Sequence, residues 1–163
     1  DSLISKKIAI TRAMPNMAAL VGKSITCLCH NRLVKEKHAV QRIFSSIGEV
    51  MEIEERHMDA VTAVAGSGPA YFFYLAESLR DAAVKMGIKK DKAARLAVVT
   101  LVGSGALLEN LEHTVEALRE RITSKRGTTE AALNVLKTKA MKNLVIEAAK
   151  AAAKRSKEIS KGV

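Results

Sequence analysis

No tryptophan occurs in the 163 residues, and the aromatic side chains amount to three Phe and two Tyr. The core must therefore be aliphatic, and a nucleic-acid surface built on stacking aromatics is missing. Cysteine is just as scarce. Cys27 and Cys29 lie two residues apart, where a strand would put them on one face without suiting a normal disulfide. Zinc needs four donors, and beyond the adjacent His30 only His38 is within easy sequence reach. Packed, reduced thiols are the plainer reading, with no metal and a reducing, cytoplasmic setting. A signal peptide is lacking too, and so is a convincing membrane span. The most apolar run, 60–76, is shorter than a typical span and holds Gly66, Ser67, Gly68 and Pro69. It continues into Glu77, Arg80 and Asp81 at helical spacing, as a buried helix of a soluble protein does.

What is present is globular: 48% hydrophobic and 27% charged residues, enough chain for one domain or a domain and part of a second. Ala, Val and Leu dominate the second half and favour closely packed helices. The net charge of +10 attracts nucleic acid and anionic metabolites alike. No docking motif accompanies it, and the Ala/Lys-rich tail AAKAAAKRSKEIS reads as a solvated helix face. Neither a nucleic-acid partner nor a membrane is expected.

Along the chain the periodicity changes once. KIAIT (7–11) reads as a buried strand ending at Pro15, and SITCLC, Ser24 to Cys29, as a second. EKHAVQRIFSSIG places Val40, Ile43, Phe44 and Ile47 on one helix face and stops at Gly48; EVMEIE is a third strand. This is part of a sheet, without the strands expected to precede it. From Glu54 onward every signal is helical. A long helix runs from Glu54 to Met86, disturbed at GSGP and capped by Gly87. Asp91 is suited to N-cap a second, reaching about Leu111. Val115 to Arg121, Thr128 to Lys137 and Thr138 to Ser160 complete five helices.

Two stretches, GSGPAY at Gly66 and GSGALL at Gly103, begin like a dinucleotide-binding fingerprint but lack its third glycine and follow no strand. Small residues that let two helices approach closely are the better reading of both. ITSKRGTTEAAL, Ile122 to Leu133, is different. A helix starting near Thr128 leaves its first N–H groups unpaired, and these with the macrodipole make an anion site. Ser124, Thr128 and Thr129 add hydroxyls; Lys125 and Arg126 add charge. A plain glycine turn with an N-cap fits the spacing equally well.

The set MPN (Met14 to Asn16), DAVTAVAGSGPAYFF (Asp59 to Phe73), VKMGI (Val84 to Ile88) and ITSKRGTTEAAL resembles pyrroline-5-carboxylate reductase, in order and spacing, from about residue 8 to residue 158. The resemblance implies a mainly α fold. A five-helix dimerisation and substrate-binding domain over residues 54–163 would follow a truncated remnant of an α/β Rossmann-like sheet over residues 1–53. It also implies a homodimer or larger, and NADPH- or NADH-dependent reduction of a small imino acid, 1-pyrroline-5-carboxylate, to proline. The family's glycine fingerprint falls outside this stretch, so the chain alone is expected to be inactive.

By the same resemblance Thr129 meets the ring nitrogen, Glu112 shares the catalytic pocket, and Ser124 with the Thr128 and Thr129 amides holds the carboxylate. Glu55 lies near the ring, Arg126 joins the substrate loop, and Asn16 and Arg121 face the cofactor. Two carboxylates flanking the ring would favour its protonated form, the better hydride acceptor. The chain departs from the family pattern S-P-G-G-T-T: Lys125 and Arg126 replace the proline and the first glycine, and Arg126 is costly there if its φ is positive. Arg121 stands where asparagine is common. These departures keep a reductase for a related imino acid in view, beside a non-catalytic dimerisation module and, more remotely, a basic helical nucleic-acid binder.

Overall fold

β2, Ser24–His30, is the centre of a three-stranded sheet in the computed structural model, which describes residues 8–110 and 112–162. β1 (Thr11–Met14) pairs with it antiparallel, Thr11 opposite His30 and Met14 opposite Cys27. β3 (Gly48–Glu52) pairs parallel, Ser24 beside Gly48 and Leu28 beside Glu52. Parallel pairing needs a crossover, and α1 (Lys37–Ser45) supplies it. Thr26, Cys27 and Leu28 are all buried, so both faces of β2 are covered. That is why its sequence reads as a near-continuous run and not an alternation.

Contacts divide the chain into two units, Asp1–Pro69 with Glu147–Val163, and Ala70–Ile146. In the first, a 3-10 turn (Glu55–His57) and α2 (Met58–Val61) follow the sheet, then a π-helical turn, Thr62–Gly66. Met58, Val61 and Ala63 are buried, as are Thr26, Cys27 and Leu28 of β2. Asp59 accepts a 2.7 Å hydrogen bond from Ser156 Oγ, tying the last helix into this unit. Gly48 is required by space: a Cβ there would stand 2.0 Å from the Ser24 carbonyl oxygen.

The second unit holds most of α3 (Gly68–Lys85), then α4 (Lys90–Asn110), α5 (Val115–Arg121), α6 (Thr128–Thr138) and the first turns of α7 (Met141–Ser160). α3 ends with Gly87 N–H bonded to Val84 O and Ile88 N–H to Ala83 O, the paired closure of a Schellman turn. Phe72, Phe73 and Tyr74 on α3, and Val98, Val99 and Val102 on α4, are exposed.

Mainly helical architecture with a small mixed sheet agrees with the sequence reading; four local expectations do not. The first strand among the described residues is Thr11–Met14, which ends before Pro15 as expected but does not reach back over 8–10, because β2 ends at His30 and the Asn31 side chain replaces a strand partner: its Oδ1 accepts the Ile10 N–H at 3.2 Å and its Nδ2 donates to Ile8 O at 2.9 Å. Lys7 lies outside the described residues. α4 begins at Lys90, so Asp91 lies inside the first turn instead of capping it; the expected end at Leu111 is outside the described residues. The last helix starts at Met141, after Ala140 takes a φ of 53°. The glycine stretches do not bring two helices together within the described chain. Gly66 faces the Met14 side chain of β1, and Gly103 has no atom within 4 Å of where a Cβ would stand.

Candidate substrate site and the family it identifies

The geometry at the start of α6 begins with the end of α5. Thr114 Oγ1 caps that helix by accepting the Ala117 N–H at 3.2 Å. Its far end is closed by Thr123, whose N–H bonds Glu120 O at 3.0 Å and whose hydroxyl donates to Arg119 O at 2.6 Å. The chain then turns: Gly127 N–H reaches back to Ser124 O at 3.0 Å. Arg126 inside this turn has a φ of 60°, the left-handed conformation that the sequence marked as costly for it. Gly127 is the N-cap of α6 with an ordinary φ of −84° and no side-chain cap. Its lack of a side chain lets the Ser124 hydroxyl lie close, since a Cβ would stand 2.2 Å from Ser124 Oγ.

The Ser124 hydroxyl thus sits against the backbone where α6 opens. The N–H groups of Thr128 and Thr129 have no carbonyl behind them in the helix. Arg126 N–H is taken by the Glu130 carboxylate at 2.6 Å. Ser124, Lys125, Arg126 and Thr128 are exposed, and Thr129 and Glu130 half-buried. One turn therefore gathers a hydroxyl, two free amides, the helix dipole and two cations.

The remaining candidates are placed separately. Glu112 is exposed in the segment between α4 and α5. The Arg121 guanidinium donates to His113 Nε2 at 2.7 Å. In the other unit, Asn16 follows β1 and spends both ends of its side chain: Oδ1 accepts the Ala18 N–H at 3.1 Å, and Nδ2 donates to Ala65 O at 3.2 Å. Glu55 is held by the Arg12 guanidinium. Because β1 and β2 are antiparallel, Asn16 lies at the Ser24 end of β2 and Glu55 at the His30 end.

That second end holds a cluster the sequence did not reveal. His30, Lys37, Glu52, Glu54 and Glu55 line an open cleft of about 460 Å³. His30 Nδ1 and Thr11 Oγ1 are 2.8 Å apart, while its buried Nε2 has no hydrogen-bond partner and lies 3.8 Å from Glu52. Burial raises the pKa of the Cys27 thiol; burial first and then the Glu55 carboxylate raise that of Cys29. Both are thereby kept as thiols. Among the described residues no group of three or more His, Cys, Asp or Glu is arranged to hold a metal, and no helix is long and apolar enough to cross a membrane.

Residues 55–159 match the family model described as pyrroline-5-carboxylate reductase dimerisation. The chain belongs to the pyrroline-5-carboxylate reductase family. Among relatives, the pyrroline-5-carboxylate reductase of Synechocystis is 39% identical over 155 residues, covering 94% of this chain and 58% of the relative. That of Mycobacterium tuberculosis is 41% identical over 178 residues, covering 98% and 60%. The chain thus spans about three fifths of the length of these relatives. Among solved structures, a pyrroline-5-carboxylate reductase from Coxiella burnetii superposes with a TM-score of 0.91 at 35% identity, covering 96% of this chain and 59% of that one. The Plasmodium falciparum pyrroline carboxylate reductase with NADP bound gives 0.87 at 34% identity, covering 96% and 64%.

Proposed function

We propose that the intact protein reduces 1-pyrroline-5-carboxylate to proline with NADPH or NADH in the cytoplasm, and that this chain supplies its dimerisation and substrate-binding helices. In this reading residues 1–53 belong to a Rossmann-like domain and 54–163 to the helical domain, in keeping with a family match that starts at residue 55. The observation that carries the proposal is the turn from Ser124 to Thr129, where Ser124 Oγ and two unpaired amides converge on the start of α6. Such an arrangement suits a carboxylate, because it offers directed donors at the positive end of a helix. With the carboxylate held there, Thr129 is the hydroxyl that meets the ring nitrogen. Glu112 supplies negative charge that favours the protonated ring. Glu55 has the weaker support, since Arg12 already engages it.

The described residues do not themselves fit a dinucleotide. GSGP and GSGAL lie at or within helices and not after a strand, and Asn16 and Arg121 use their polar groups inside the chain. The pyrophosphate cradle is assigned to the Rossmann-like domain of the intact protein. What this chain contributes is orientation of the acceptor and a fixed electrostatic environment.

The exposed Lys125 and Arg126 favour a second reading, a related imino acid carrying an additional anionic group. Both readings meet in one experiment: consumption of NAD(P)H by the intact protein, with the Thr129→Val variant alongside. Pyrroline-5-carboxylate should be turned over, and the variant should lose about tenfold or more in kcat, one hydrogen bond to a reacting group. Its cofactor affinity should stay unchanged. Full activity in Thr129→Val would remove the loop from the chemistry. Turnover only of a more anionic imino acid would select the second reading.

A further inference from the structure

Two adjacent residues of the α6 loop carry its backbone constraints: Arg126 departs from the family pattern, and Gly127 keeps its second glycine. Arg126 occupies the left-handed position, where the side chain crowds the following carbonyl and glycine is the usual choice. The loop's glycine is one residue later, at a position with an ordinary φ, where a Cβ would push the Ser124 hydroxyl aside at 2.2 Å and stand 3.0 Å from Ser124 O. That glycine does nothing for Arg126, whose own φ stays left-handed. Something else must hold the arginine in its turn.

Glu130 does so by geometry. Side chains on a helix lean toward its N-terminus, so a residue in the first turn reaches the segment four positions before it. The Glu130 carboxylate accepts the Arg126 N–H at 2.6 Å, a charge-assisted bond at the short end of the range. We infer that Glu130 is the positioning residue of this loop, clamping the Arg126 amide so that an arginine adopts the left-handed turn and the Thr128 and Thr129 amides stay aimed at the substrate carboxylate.

The inference rests on the substrate reading above and adds to it. With Arg126 N–H bonded to Glu130 and Gly127 N–H bonded to Ser124 O, these two amides are withheld from a ligand, and the Thr128 and Thr129 amides are among the donors left. The clamp thus decides which amides face outward. It also places a negative charge at the helix start, which offsets part of the dipole. A carboxylate is then held chiefly by directed hydrogen bonds, and these fail if the turn relaxes.

A plain electrostatic role for Glu130 at a helix N-terminus would act whatever stands at position 126. The clamp acts only while that residue resists the left-handed turn. A double-mutant cycle in the intact protein separates the two. Glu130→Ala should raise KM for pyrroline-5-carboxylate about tenfold, the worth of one charge-assisted bond, with kcat changed by less than about twofold. On the Arg126→Gly background the same substitution should raise KM by less than about twofold, because glycine takes the turn unaided. Equal rises on both backgrounds, or no rise on either, would overturn the clamp. Amide hydrogen exchange of Arg126 gives a readout free of activity: exchange should be slowed in the parent and fast in Glu130→Ala. A fast Arg126 amide in the parent would overturn the inference even in an active enzyme. A slowed one in a protein that reduces no imino acid would support the clamp and count against the substrate reading alone.

Discussion

Glu52 closes β3 with a carboxylate shared by two side chains of α1. Lys37 Nζ lies 2.8 Å from one oxygen and Gln41 Nε2 lies 3.0 Å from the other. The hydrogen bond from Lys37 is the largest influence lowering its pKa, and the charges of Lys37 and His30 act in the same direction. A carboxylate whose folded pKa is depressed adds stability above its unfolded value, near 4.5, and loses it as pH falls through the folded one. Glu52 is solvent-exposed, so the effect is screened and modest. The parent should therefore lose more stability than Glu52→Gln when urea denaturation is followed from about pH 5 to about pH 3. Parallel pH profiles would show that Glu52 holds α1 by hydrogen bonding without its charge.

Among the elements, those with local signals were legible and those fixed by tertiary partners were not. β2, α1 and β3 follow from an apolar run, a helix-period face and a glycine at 48, and each formed within a few residues of its expected place. α5 and the start of α6 were legible because Thr114 and the turn before Thr128 are sequence-local devices. β1 ends before Pro15 as read but starts later than expected, because no propensity rule announces that the Asn31 side chain will act as a strand partner. The break before α7 falls on Ala140, neither glycine nor proline, and carries no signal. GSGP announced a disturbance, and the π-helical turn Thr62–Gly66 ends on its first glycine, with a bend at Ser67 before α3 begins. In the candidate site the hydroxyl and amide donors were readable from spacing. The Glu130 clamp was not, because it depends on the φ of a residue four positions away. Likewise Arg12 beside Glu55, and Ala65 as the acceptor for Asn16, are contacts across long stretches of chain.

At the scale of the molecule, the apolar residues on α3 and α4 set the requirement. Phe72, Tyr74 and Val102 are more than half exposed, each 59% or more, on helices too apolar to be left in water. A second copy is the natural cover for a member of a family described by its dimerisation. Sedimentation of the protein at micromolar concentration should give a dimer or larger, and a stable monomer would contradict that cover. The central claim is the proposal that the Thr128 and Thr129 amides, at the start of α6, are where a substrate carboxylate would be held. Titrating proline into the isotopically labelled intact protein, with amide chemical shifts followed by NMR, tests it most directly. The largest shifts should fall on Thr128, Thr129 and Ser124 and should saturate together. Saturable binding that leaves these three amides unmoved would place the carboxylate elsewhere and contradict the claim.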